Sequence, residues 1–195
     1  ESPTFLVVSG APPRRLGELL RRIDPRHHAK AYVLSDPPSH RSSVVALFQD
    51  HRSVMTLLLW VTFFMNLLVM YFFVNWLPTL LSMAGYALSR AIQASTAFNV
   101  GGIVGGVVLA AIIRRKGAIP VLSITFVVTG VAIAGISRLE NAPLLIFPAV
   151  FVVGFGVVGA QFCLNALAAD LYPTASRSTG VGWALGVGRV GSVLG

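Results

Sequence analysis

Residues 168–195 read AADLYPTASRSTGVGWALGVGRVGSVLG. From near Ser178 onward this is a glycine-rich apolar helix holding one charge, Arg189. At ~1.5 Å of rise per residue the guanidinium lies ~16 Å along that helix, close to the middle of a ~30 Å hydrocarbon layer. A charge at that depth costs at least ~2.5 kcal/mol, so it faces the protein interior or a wet cavity and takes a partner. No carboxylate of the chain lies at comparable depth. The candidates are a substrate anion and an ion pair with a helix outside this sequence.

Composition places the remaining residues in the same setting. The 195 residues are 55% hydrophobic and 11% charged, with mean hydropathy +0.77. A soluble domain of this length cannot hide so much apolar surface, which leaves the lipid bilayer as its surroundings. The net charge of +8 would suit nucleic acid. Its placement does not: the basic residues fall in short segments between apolar runs rather than on one face. Cys163 is the one cysteine, so an internal disulfide is excluded. His27, His28, His40 and His51 lack the spacing for a metal, and no catalytic constellation can be drawn. Neither an enzyme, a metal nor a cofactor is expected. GVGWALGVGRVG has glycines at dinucleotide-loop spacing but no βαβ context, and membrane packing accounts for it.

Residues 1–53 are polar and basic, with prolines at 12, 13, 25, 37 and 38. Leu16, Leu19, Leu20 and Ile23 form one short amphipathic pattern, and the rest reads as a cytoplasmic loop. Five apolar runs follow, at about 54–81, 91–113, 119–137, 144–168 and 178–195, the last incomplete. Alternating the connections puts every basic residue on one side except Arg90, Arg138 and the intramembrane Arg189, so residues 1–53 are cytoplasmic. The chain lacks an initial methionine and stops inside an apolar helix, and is expected to be a piece of a longer polypeptide.

The spans carry narrow stripes of polar or small residues. Tyr71 and Asn75 share a face; Asn66 is half a turn out of phase with Asn75. Ser95, Asn99, Gly102 and Gly106 form a second stripe, Gly154, Gln161 and Asn165 a third, and Gly182, Gly186 and Arg189 a fourth. Such stripes suit a shared aqueous cavity, or interhelical hydrogen bonds worth ~0.6 kcal/mol each. Gly101/Gly105, Gly102/Gly106, Gly182/Gly186 and Gly191/Gly195 are small-xxx-small pairs that let backbones approach. Asp170 and Arg177 flank a proline turn and are expected to steady it through an ion pair or helix-end hydrogen bonds.

Three stretches resemble the major facilitator superfamily, in particular its aromatic acid:proton symporters. ESPTFL at residues 1–6 is similar to the signature after the sixth helix. NLLVMYFFVNWLPTL at 66–80 resembles the seventh helix, and DLYPTASRSTGVGWALGVGRVGSVLG at 170–195 the loop and helix that follow the tenth. The resemblance implies an all-α membrane protein, the C-terminal bundle (54–195) of a twelve-helix carrier, comprising helices seven to eleven. It further implies alternating access at the inner membrane, uptake of a small aromatic carboxylate with a proton, and an N-terminal half of the same transporter as partner. Arg189 is then the carboxylate site, with Tyr71, Asn66, Gln161 and Asn165 around the pocket and Phe72 or Trp183 available for ring contacts. Asp170, Arg177, Arg115, Gly117, Asn75, Gly182 and Gly186 become gating or structural positions. One loop departs from the family: where Asp-Arg-x-Gly is usual, this chain has Arg114-Arg115-Lys116-Gly117. The acid credited with proton coupling belongs to the first helix, outside this sequence. Carriers for sugars, other organic anions or drug efflux, and a non-transporting scaffold, are the alternatives.

Overall fold

In lipid every backbone N–H and C=O must be satisfied within its own segment, so runs of Leu, Val, Phe and Ile of this length fold as helices. The computed structural model describes residues 17–18, 44–48, 52–136, 145–173 and 176–195. By contacts the chain divides into Glu1–Ser42 and Ser43–Gly195. Of the first unit only Gly17 and Glu18 are described, both helical. The rest of the expected amphipathic helix, the four histidines, ESPTFL and Arg138 lie outside the described residues.

The second unit opens with a 3-10 helix, Val44–Phe48. It continues through α1 (Ser53–Met83), α2 (Leu88–Lys116), α3 (Ala118–Ile136), α4 (Ile146–Leu171) and α5 (Arg177–Leu194). The first four are long and apolar enough to cross a membrane. α5 has 18 residues, but its glycines, serines and Arg189 dilute its hydropathy. Leu47 is fully buried and its carbonyl accepts from Thr56 Oγ1 at 2.9 Å. The bundle therefore begins a few residues before α1.

The helix ends follow from local chemistry. After α1 the N–H of Gly85 bonds Ser82 O at 3.1 Å and that of Tyr86 bonds Leu81 O at 3.0 Å. Gly85 takes φ +84, which completes a Schellman stop. Gly117 alone joins α2 to α3 with φ +85, and its N–H closes the last turn on Ile113 O at 2.8 Å. Tyr172 is extended, as a residue before proline should be, and Pro173 ends α4.

Two helix pairs pack backbone on backbone. α2 and α4 run parallel: Gly101 faces the carbonyl of Phe151, Gly105 that of Phe155, and Gly154 that of Phe98. α1 and α5 also run parallel, with Gly191 on the carbonyl of Phe64 and Gly195 on that of Leu68. Apolar burial is no driving force between helices in lipid, so this close approach is what holds the pairs. Gly182 and Gly186 differ from the expectation that they too permit a close approach. They sit on the opposite side of α5, where a side-chain Cβ would meet nothing within 4 Å. α3 lies against α4, where Gly156 receives the side chain of Thr129.

Between the pairs the core is side chain on side chain. One buried cluster holds Phe63, Leu109, Leu164 and Ala184; the other holds Phe73, Leu77, Phe98 and Val153. Asn66 is buried on α1 between Phe63 and Phe73.

Candidate functional site

Asn66 shows only 5% of its surface and would be costly there without partners. It has them on α4. Its Nδ2 donates to Val157 O at 3.1 Å and to Gln161 Oε1 at 2.8 Å. Gln161 Nε2 in turn donates to Asn165 Oδ1 at 3.2 Å. Gln161 and Asn165 are half-buried, and one helical turn apart they share a face of α4. Three of the pocket residues expected from sequence are thus one hydrogen-bonded chain across the α1–α4 seam.

Arg189 stands elsewhere. α5 buries Gly180, Ala184, Gly188 and Gly191, and Arg189 projects from the other side, exposed. Its guanidinium has no hydrogen bond or ion pair among the described residues, although its backbone carbonyl accepts from Ser192 Oγ at 2.7 Å. At ~1.5 Å per residue it lies ~18 Å along the axis from Arg177, where α5 begins. Gly182 and Gly186 share its open face. A groove of about 550 Å³ along α5 is lined by Thr179, Gly182, Trp183, Gly186 and Val190, and not by Arg189. Trp183 is 46% exposed and stacks on Trp60 at 5.7 Å and 18°.

The remaining expected positions are scattered. Tyr71 is half-buried and Asn75 exposed, in line with their separation from Asn66 around α1. Asn99 is exposed and its Nδ2 donates back to Ser95 O at 2.9 Å. Gly102 and Gly106 are turned against Val158 and Phe162, so the α2 stripe splits between packing and an open surface. Gly154 packs on α2 while Gln161 reaches α1, so the α4 stripe splits as well. Asp170 and Arg177 are exposed, and among the described residues no ion pair joins them; the link across that turn is the N–H of Ser176 on Pro173 O at 3.0 Å. Arg115 is exposed at the end of α2, beside Gly117.

Sequence reading missed an aromatic plug at the Ser53 end of the bundle. Phe48 meets Trp60 edge to face at 5.6 Å, Trp60 stacks on Trp183, and Tyr172 fills the space beside Gly180. Trp60 Nε1 and Tyr172 OH are buried with no hydrogen-bond partner among the described residues. The Trp60–Trp183 stack joins residues far apart in the chain, and no local pattern announces it. The polar stripes did mark Gln161 and Asn165, but not that Asn66 is their partner.

The description "Major Facilitator Superfamily" belongs to a family model that matches residues 5–195. A gallate transporter of Pseudomonas putida is 36% identical over 197 residues, covering 100% of this chain and 44% of the relative. A 4-hydroxybenzoate transporter of Pseudomonas aeruginosa is 33% identical over 199 residues, with the same coverage, 100% and 44%. A benzoate transport protein of Acinetobacter baylyi is 32% identical over 155 residues, 80% of this chain and 33% of the relative. This chain therefore spans less than half the length of these relatives. No solved structure matches it.

Proposed function

This chain belongs to the Major Facilitator Superfamily, and from that premise we propose that it forms the C-terminal bundle of a proton-coupled carrier for benzoate-type aromatic carboxylates. The carrier works by alternating access in the cell's inner membrane, with residues 1–53 on the cytoplasmic side. The observation that carries the reading is Arg189. A guanidinium ~18 Å along α5, in an apolar glycine-rich helix with no acid beside it among the described residues, supports binding of an anion rather than a cation. A carboxylate fits it in a bidentate, charge-assisted pair. The open groove at Trp183, which Val190 but not Arg189 lines, offers an aromatic wall on the same helix, as an aromatic acid requires. The names of the relatives, carriers of gallate, 4-hydroxybenzoate and benzoate, support the same cargo class. The proton-coupling acid and the other wall of the cavity come from the part of the carrier beyond this chain. The bundle itself has a binding role, not an enzymatic one.

The test is uptake of labelled 4-hydroxybenzoate by cells carrying the full-length protein, with and without a protonophore. Uptake should saturate and collapse with the proton gradient. Arg189→Ala should lower uptake by about a hundredfold or more at unchanged membrane level, the factor for a lost charge-assisted pair of ~3 kcal/mol. Wild-type-like uptake by Arg189→Ala would remove the anion-site assignment.

A further inference from the structure

The amide chain across the α1–α4 seam has a direction, and one carbonyl sets it. The backbone C=O of Val157 can only accept. Asn66, bonded to it at 3.1 Å, must therefore turn Nδ2 toward α4. A second Nδ2 proton goes to Gln161 at 2.8 Å, which must receive it on Oε1. With Oε1 committed, Gln161 faces Asn165 through Nε2, and Asn165 accepts on Oδ1 at 3.2 Å. What remains at the end is the Asn165 Nδ2 group, with no partner among the described residues. The three side chains act as a polarised line: an anchored end at Asn66, which is buried, and a donor end at Asn165, which is half-buried.

We propose that Asn66 is a positioning residue: it fixes the direction of this line so that Asn165 offers N–H donors to a ring oxygen of the transported acid. The proposal rests on the reading of an aromatic-acid carrier and adds a rule of selectivity to it. Arg189 holds the carboxylate, which every acid of the class has in common. Asn165 then distinguishes what the ring carries. A phenolic oxygen accepts from Nδ2; a ring amine, nearly the same size but chiefly a donor, meets donor with donor. A site built to donate rejects a group that cannot accept more strongly than size alone would.

The experiment compares 4-hydroxybenzoate with 4-aminobenzoate as competitors of labelled benzoate uptake, using the full-length carrier. The wild type should prefer the hydroxy acid about tenfold, the factor for one hydrogen bond gained against a donor left unmet. Asn165→Leu should bring that ratio near one. Asn66→Leu should do the same although it removes no group from the donor end, because Gln161 and Asn165 are then free to turn over. The double variant should show no further change, as expected for residues acting through one another. A wild-type ratio near one, a ratio retained in either variant, or additive losses would overturn the proposal, whereas a merely structural role for Asn66 would lower protein level and leave the ratio alone.

Side-chain amide exchange in the purified wild-type protein tests the direction without any cargo. The Asn66 carboxamide protons should be protected and those of Asn165 should exchange readily; protected Asn165 protons would overturn the line. A wild type that takes up none of the three acids refutes the carrier reading instead, and the exchange pattern still decides the direction of the line.

Discussion

Replacing Gly159 by alanine tests whether α2 and α4 are held by contact between backbones. A Cβ at Gly159 would stand 2.7 Å from the carbonyl carbon of Gly105, 2.9 Å from its Cα and 2.9 Å from the nitrogen of Gly106. Ordinary contact is 3.4–4 Å, and none of these atoms belongs to a side chain that can swing away. The helices must separate locally by about 1 Å, and a gap of that size forfeits a quarter to a half of each dispersion contact across it. Overpacking of this kind costs ~1–3 kcal/mol, partly offset by the ~1 kcal/mol that alanine gains over glycine in a helix. The net expectation is a loss of up to ~2 kcal/mol, a fall of up to roughly 4–8 °C in Tm for a unit of 150–250 residues and less for the longer full-length protein. Gly130→Ala is the control, since nothing lies within 4 Å of its Cβ position, and it should be neutral or slightly stabilising. Thermal unfolding of the full-length protein in detergent, followed by tryptophan fluorescence, reads both. Equal midpoints for Gly159→Ala and Gly130→Ala would refute backbone contact as the source of the α2–α4 association.

Phe98 is 1% exposed and stacks on Phe73 at 5.8 Å and 7°. Phe98→Ala should cost about 2 kcal/mol in the same unfolding assay, below the ~3–5 kcal/mol of a water-soluble core because lipid replaces part of the lost apolar surroundings. Gly117→Ala forces a side chain into φ +85 and should lower stability by ~1–2 kcal/mol, whereas Gly135→Ala, with open space around it, should not. Tyr172→Phe removes a hydroxyl that has no partner among the described residues and should leave the unfolding midpoint unchanged or raise it; a clear drop would mean that the hydroxyl is bonded.

Much of this architecture could be read in advance because lipid leaves few options. Apolar runs of sufficient length fold as helices, and α1 to α4 span close to the expected stretches. Gly101/Gly105 and Gly191/Gly195 mark real contacts because only glycine permits backbones to touch. Gly182/Gly186 carries the same spacing and touches nothing described, since spacing identifies a face and not its neighbour. The site was legible in the same partial way. Hydropathy singled out Asn66, Gln161, Asn165 and Arg189 as polar groups in an apolar setting, and the resemblance assigned them together to one pocket. The structure joins the first three in a single chain of amides and places Arg189 on another helix face. Which partner a polar side chain finds depends on helix rotation and pairing, and those are set by contacts between residues distant in sequence.

The two ways in which these helices meet also differ mechanically. Where glycine brings backbone against backbone, nothing can rotate out of the way, and α2 with α4, or α1 with α5, must move as one piece. α3 is joined to α2 through Gly117 and packs on α4 through Thr129 at Gly156, and so goes with the α2–α4 pair. Across the seam, Phe73 on Phe98 and Asn66 on Gln161 meet through side chains, which can exchange rotamers and hydrogen-bond partners at small cost. Strain applied anywhere in the bundle therefore collects along that seam, which acts as its compliant joint.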